Sequence, residues 1–170
     1  LLCVDIPKKV VKLDENKTLY AFLGVMNPIV CTTDIKQEGD IDTDWKLWEI
    51  GTEAEFNYRR RQIQEAVKRC QINNRYSRGG HGRFAKTKAI ERWRKVESNY
   101  VDTKLHTYSK MLIDLAVKHK CGKITLMNQL HREYAAKDDK FILRNWSYHS
   151  LKTKIDDKTK MCGIKVEVEK

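Results

Sequence analysis

Alternation of apolar and polar residues in the first part of the chain predicts a set of β-strands. Residues 1–6 alternate weakly and stop at Pro7, a pattern typical of the last strand of a preceding unit, and a polar connector follows. Three further segments, at residues 18–25, 29–33 and 45–50, are apolar or alternating and rich in β-prone side chains. We therefore expect three antiparallel strands after the connector.

The period then changes from strand to helix. Apolar residues recur on one face of residues 53–72, which predicts a helix whose other faces carry the arginines. A glycine- and arginine-rich stretch, residues 75–83, predicts a loop whose backbone can approach phosphate closely. Residues 86–120 hold apolar side chains at helical spacing without Pro or Gly, and they predict a long helix that ends at Cys121-Gly122.

The last part of the chain alternates again between strand and helix. Residues 123–126 predict a short strand, residues 141–160 a basic amphipathic helix and residues 164–168 a final strand. Three antiparallel strands followed by helices and further strands match an α/β layer with right-handed crossovers. This is the order of a ribonuclease H-like fold with a mixed sheet, into which a long basic helical segment would be inserted.

Composition restricts the class of protein. The chain has 170 residues, a formal net charge of +11 and a mean hydropathy of -0.66, and no stretch approaches the roughly 20 apolar residues of a membrane-spanning helix. We expect a protein without membrane association and, since the sequence lacks an initiator Met, a fragment of a longer chain. The cysteines are scattered and form no CxxC pair, which argues against a zinc site or disulfide framework and favours a reducing cytoplasm.

The positive charge is concentrated in one segment. Residues 57–110 contain 15 Lys and Arg against 4 Asp and Glu, whereas the rest of the chain balances at 19 against 19. Such an excess repels itself unless a polyanion neutralises it, so we expect nucleic-acid contact, with a merely solvated surface as the alternative. The residues that we expect to contact a nucleic-acid backbone are Arg59, Arg60, Arg75, Arg78, Arg83, Lys86, Lys88 and Arg92.

Catalytic chemistry depends on the carboxylates of the predicted strands. A ribonuclease H-like nuclease holds two divalent metals with carboxylates from its first strand, its fourth strand and a later element. Residues 18–25 and 123–129 contain neither Asp nor Glu. Asp40, Asp42 and Asp44 fit solvated turn residues, and no nucleophile with its base is recognisable. We therefore predict no metal site and no cofactor in this fragment.

Several short motifs together resemble a known family. They are Leu-Gly-Val at residues 23–25, Arg-Gly-Gly-His-Gly-Arg at 78–83, Cys-Gly-Lys-Ile at 121–124, Asn-Trp-Ser-Tyr at 145–148 and Cys-Gly-Ile-Lys-Val at 162–166. In this order they are similar to the RuvC-type nuclease domain of the transposon-encoded TnpB proteins and of the miniature type V-F CRISPR effectors. The resemblance implies a RuvC-like domain over residues 17–170, and residues 1–16 as the end of a preceding β-rich unit and its connector.

The resemblance also implies which positions would carry catalysis. The family's first catalytic Asp falls on Phe22, and its Glu falls on Met127 or, after a shift of one position, on Asn128. We therefore expect a naturally nuclease-inactive form that is not an enzyme. The family's third catalytic Asp and its zinc module would follow Lys170.

The function implied by the resemblance is RNA-guided DNA binding without cleavage. Guide RNA and target DNA are the implied partners, and Trp146 and Tyr148 would stack on bases near the former active groove. The protein would regulate transcription by recruiting a sigma factor and RNA polymerase, or by repression, in the bacterial cytoplasm at the nucleoid. An active RuvC-type endonuclease with relocated acids and an RNA-binding structural domain stay open as alternatives, and so does assembly into a homodimer.

Overall fold

The fold is described from a computed structural model, which defines residues 12–24, 27–33, 46–75, 81–127 and 148–169. The chain forms two compact units. The sheet unit comprises Leu1–Thr52 and His106–Lys170, and the helix-pair unit comprises Glu53–Leu105. Within the described ranges, none of the helices combines the length and the apolar character that crossing a bilayer requires.

The regular elements of the described residues are strands and helices in the order β, β, β, α, α, β, α, β. The strands are β1 (Asp14–Phe22), β2 (Ile29–Thr32), β3 (Trp48–Ile50), β4 (Cys121–Met127) and β5 (Lys165–Val168). The helices are α1 (Glu53–Arg75), α2 (His81–Lys118) and α3 (Tyr148–Cys162).

The strands form one mixed sheet in the order β3-β2-β1-β4-β5. Strand β1 pairs antiparallel with β2, and β2 pairs antiparallel with β3. On its other edge β1 pairs parallel with β4, and β4 pairs parallel with β5. Parallel neighbours need crossover connections, which place helices between these strands in the chain. The predicted mixed α/β sheet is confirmed.

The core of the sheet unit is built from apolar side chains that recur at alternate positions in the strands and about once per turn in α3. Leu19 of β1 is fully buried, and Ile124 and Leu126 of β4 are buried at alternate positions, as a strand with period two requires. Leu151 and Ile155 of α3 lie one turn apart and are fully buried. Burial of this apolar surface is the main contribution to the stability of the sheet unit.

Several boundaries differ from the expected ones. Cys121-Gly122, expected to end the long helix, are the first residues of β4, and two further differences have a common cause. Strand β1 begins at Asp14, inside the predicted polar connector, because Asp14 donates its backbone N–H to the Lys120 carbonyl over 2.9 Å and pairs with Cys121. Helix α2 begins at His81, so the end of the predicted glycine-rich loop is helical. In both places backbone hydrogen bonding extends an element into a polar or glycine-containing sequence.

The described strands and helices do not test two of the predicted segments or the predicted division into domains. The predicted strand at residues 1–6 and the first part of the predicted helix at residues 141–160 lie outside the described residues. The predicted domain boundary between residues 16 and 17 falls inside β1, and the division into a connector and a RuvC-like domain stays a prediction.

Candidate nucleic-acid interface

The sheet brings together the two positions to which the family's catalytic acids were assigned. Phe22 and Met127 are the last residues of β1 and β4, and they are direct partners in the parallel register of these strands. Asn128 lies outside the described residues. A divalent metal needs charged oxygen ligands, and neither Phe22 nor Met127 supplies one, so this pair does not fit such an ion.

The described part of the chain also has no cluster of metal-binding side chains at other positions. Among its residues, no group of three or more His, Cys, Asp or Glu side chains is placed to hold a metal ion.

An apolar and aromatic seam joins α1 to α2 inside the helix-pair unit. Phe56 and Ile63 of α1 are each 2% exposed. The rings of Phe56 and Tyr100 lie 6.2 Å apart between centroids, and the Tyr100 hydroxyl donates to the Glu55 carbonyl over 3.1 Å. Burial raises the pKa of Tyr100, and the positive charge of Lys104 opposes this shift. The hydroxyl therefore keeps its proton and remains a hydrogen-bond donor at neutral pH.

Arg60 belongs to this seam and not to the outer surface. Its Nε donates to Glu97 Oε1 over 2.8 Å, and Gln64 Nε2 donates to the same oxygen over 3.0 Å. Its guanidinium also lies 5.7 Å from the centre of the Phe56 ring, and the residue is 8% exposed. A phosphate contact by Arg60 would require this ion pair to break, so the structure gives Arg60 a packing role between the helices.

Other predicted contact residues lie on the solvent side of the helix pair. Arg59 is exposed on α1, where its Nη1 donates to Gln62 Oε1 over 3.0 Å. Lys88 and Arg92 are exposed on α2. An exposed acid on α1, Glu65, is bonded to Lys68 over 2.8 Å, and this contact lowers the pKa of Glu65. Arg59, Lys88 and Arg92 are thus exposed cations, whereas the charge of Lys68 is offset by Glu65.

The remaining predicted contact residues have side chains outside the described part of the structure. Arg75 ends α1, Arg83 and Lys86 lie near the beginning of α2, and Tyr148 begins α3, but only their backbone is described. Arg78 and Trp146 lie outside the described residues altogether. All of these contacts stay predictions.

A groove along α1 adds residues that the sequence analysis did not single out. It has a volume of about 910 Å³ and follows residues at helical spacing on one face of α1, with one side chain from α2. Tyr58 in this groove is 67% exposed, so its ring faces solvent beside both cations and acids, Arg61 and Arg69 with Glu53 and Glu65. The signal in the sequence was the spacing of three and four positions among its members on α1, which include Tyr58, Arg61, Glu65 and Arg69; Trp93 is the member from α2.

The fold and the charge distribution together define a RuvC-like α/β domain with a basic helix pair. No protein-family model matches the chain. Individual proteins do: the chain is 38% identical over 160 residues to the CRISPR-associated endodeoxyribonuclease Cas12f1 of Syntrophomonas palmitatica, a match that covers 91% of this chain and 29% of that protein. It is also 38% identical over 91 residues to the Cas12f1 of Sulfoacidibacillus thermotolerans, covering 53% of this chain and 21% of that protein.

Solved structures show the same fold. A cryo-EM structure of a Cas12f1–sgRNA–target DNA complex superimposes with a TM-score of 0.69 at 22% identity, over 96% of this chain and 30% of the other. A second cryo-EM structure, of a CRISPR-Cas12f ternary complex, gives a TM-score of 0.68 at 21% identity with the same coverage. The resemblance to miniature type V-F effectors is confirmed, and the chain spans less than a third of the length of these relatives.

The expectation that the protein is not an enzyme is wrong. Both relatives are named endodeoxyribonucleases, which contradicts a conclusion drawn from Phe22 and Met127 alone. The physical reason is that a metal site in such a fold collects ligands from several separate segments, so two neutral side chains on two strands do not decide whether a protein cleaves DNA. Nuclease inactivity is not carried further.

Proposed function

We propose that the chain is part of an RNA-guided DNA-targeting effector, and that its helix-pair unit binds the phosphate backbone of the guide RNA or of its duplex with target DNA. The observation that carries this proposal is the identity of 38% to Cas12f1 over nearly the whole chain. The exposure of Arg59, Lys88 and Arg92 on the helix pair supports the location of the contact.

The physical basis of binding is neutralisation of phosphate charge. Lysine and arginine side chains that contact phosphates release condensed counterions, so affinity falls with rising salt in proportion to the number of contacts. Arginine suits this surface because its planar guanidinium pairs with two phosphate oxygens at once. The exposed ring of Tyr58 beside Arg61 and Arg69 adds a surface on which an unpaired base can stack.

The test uses the full-length protein and the RNA that purifies with it. We expect a defined RNA species to be recovered and sequenced, and a matched duplex DNA to bind only in the presence of that RNA. Arg59→Gln and Arg92→Gln are each expected to lower the slope of log affinity against log salt by about 0.9. The proposal would be refuted if no defined RNA were recovered and if neither Arg59→Gln nor Arg92→Gln changed the slope of log affinity against log salt.

Two controls sharpen this measurement. The double variant Lys118→Gln/Lys160→Gln removes the same number of charges as Arg59→Gln/Arg92→Gln but lies in the sheet unit, so it should leave the slope nearly unchanged. Binding of RNA without guide-dependent binding of DNA would favour an RNA-binding structural domain. A plasmid with a matched site, incubated with Mg²⁺, tests directly whether the complete protein cuts DNA as the names of its relatives state.

We further propose that binding at a guided site regulates transcription. A complex held at a guided site can obstruct RNA polymerase by occupying a promoter, or can recruit the polymerase through a contact with a sigma factor. We place this activity in the bacterial cytoplasm at the nucleoid, since the partners are nucleic acids. A promoter reporter with a matched guide should respond by at least several-fold, and a mismatched guide should give no response.

A further inference from the structure

A cluster of lysines joins α2 to α3 within the sheet unit. Lys158 of α3 donates from Nζ to the His106 carbonyl over 2.5 Å and to Ser109 Oγ over 2.7 Å. Lys154, one turn earlier on the same helix, has its Nζ 2.9 Å from His106 Nε2. An ammonium group has only hydrogens to offer, so this ring nitrogen accepts, and the positive charge of the cluster resides on the lysines.

Helix spacing adds a third lysine to the cluster, because Lys110 is exposed and lies one turn after His106 on α2. The pKa of Lys158 is lowered, first by burial and then by the positive charges of Lys154 and Lys110, whereas Asp114 opposes the shift. This direction agrees with the helix spacing, which places the three lysines on adjoining turns of α2 and α3. A cluster of like charges that already depresses the pKa of one member gains stability when an anion binds.

We propose that Lys110, Lys154 and Lys158 form a second nucleic-acid contact, a phosphate-binding patch on the sheet unit that takes the sugar–phosphate backbone. This inference rests on the proposed function and extends it to Lys154 and Lys158, which lie outside the segment of concentrated charge. Lys154 and Lys158 are four positions apart and therefore about 6 Å apart along the helix axis.

The competing interpretation is that Lys158 only holds α2 against α3. The variants are therefore chosen to leave this tie in place: Lys110→Gln/Lys154→Gln removes two charges and keeps the Lys158 hydrogen bonds. The matched control, Lys118→Gln/Lys160→Gln, also removes one lysine from α2 and one from α3. Lys160 is paired with Asp156 over 2.5 Å, outside the cluster.

The measurement is the salt dependence of affinity of the full-length protein for two probes, a fluorescein-labelled single-stranded RNA of mixed sequence and a duplex DNA. For at least one probe, the patch variant is expected to lower the slope by about two and to weaken binding at low salt by roughly tenfold, while the control shifts the slope by less than half a unit. Urea unfolding midpoints of the two variants should agree.

Three outcomes would be decisive. A lower slope in the patch variant but not in the control supports the patch. Equal slopes in both, while Arg59→Gln/Arg92→Gln still lowers the slope, overturn the patch and leave the proposed function standing. A loss of binding that is matched by a loss of folding in Lys110→Gln/Lys154→Gln shows a structural role and also overturns the patch.

Discussion

The two units of the chain are stabilised in different ways. In the sheet unit the large buried side chains are apolar, as Leu19, Ile124 and Ile155 illustrate, and the few buried polar side chains are small. In the helix-pair unit, buried positions include Asn57 and Arg60 beside Phe56 and Ile63. The sheet unit is held mainly by exclusion of water, whereas the helix pair combines burial of Phe56, Ile63, Val101 and Leu105 with a part-buried ion pair.

This contrast agrees with the different charge of the two regions. A helix that must present many cations to solvent has few positions left for apolar packing, so it uses polar contacts between helices, such as those of Glu97 with Arg60 and Gln64. Polar contacts are direction-dependent and cost free energy when one partner is lost. We therefore expect the helix pair to respond to changes of charge, and the sheet unit to changes of volume.

The largest effect is expected from a cavity in the sheet. Leu19→Ala removes a fully buried side chain from the central strand and should lower the free energy of unfolding by about 2 to 5 kcal/mol. The control Leu47→Ala alters a side chain that is 51% exposed, and it should change stability by less than about 0.5 kcal/mol. Urea denaturation measures both. Equal midpoints would show that β1 does not lie in a packed core.

A glycine pair tests how tightly the sheet unit is packed. Gly51 and Gly163 both have a φ of 74°, but a Cβ on Gly51 would meet the Tyr108 ring at 2.7 Å, whereas one on Gly163 would meet nothing within 4 Å. Gly163→Ala should cost about 1 kcal/mol for the left-handed backbone alone. Gly51→Ala should cost about 2 to 4 kcal/mol, since overpacking is added. Thermal unfolding distinguishes them, and a larger cost at Gly163 would contradict the packing.

A smaller effect is expected from the ion pair of the helix unit. Glu97→Gln removes the charge that faces Arg60, whose side chain is only 9% exposed, and should cost about 1 to 3 kcal/mol after allowance for the partial exposure of Glu97. Glu91→Gln is the control, because Glu91 is an exposed acid on the same helix. Helix loss in urea, followed by circular dichroism, gives the comparison. If the two variants unfold alike, the buried pair is not a stabilising contact.

The last comparison concerns the rates at which different cysteine thiols are labelled, and it requires no substitution. Burial raises the pKa of Cys31 to about 12 and also raises that of Cys121, and both residues are buried in the sheet. Only the thiolate reacts, so at pH 8 a water-soluble disulfide reagent should label Cys70 and Cys162, which are half-buried, far faster than these two. Peptide mapping by mass spectrometry locates the label. Rapid labelling of Cys31 would mean that the sheet opens readily.

Much of the fold was predictable because strands and helices follow local periods. The segments expected at residues 29–33, 53–72 and 164–168 correspond closely to β2, α1 and β5. The beginning of β1 was not predictable in this way. Asp14 joins the sheet through a hydrogen bond to Lys120, a residue far away in the chain, and nothing in the polar sequence around Asp14 indicates a strand.

The candidate site was predictable only in part. The excess of positive charge was visible in composition, but Arg60 was grouped with the exposed arginines although it lies four positions after Phe56 and three before Ile63, on the buried face. That spacing was the available signal. The inference from Phe22 and Met127 to a non-enzyme was wrong, because it treated two positions as the whole of a site that a fold assembles from many segments.

Local sequence sets the period of each element and the segment in which charge accumulates, because neighbouring residues experience the same backbone geometry. Tertiary packing decides which of these charges reach solvent and which distant side chains meet. Glu97 is 37 positions from Arg60, and His106 is 48 from Lys154. Such contacts depend on how helices pack and not on spacing along the chain, so only the folded structure could reveal that Arg60 meets Glu97 and that two helices share a lysine cluster.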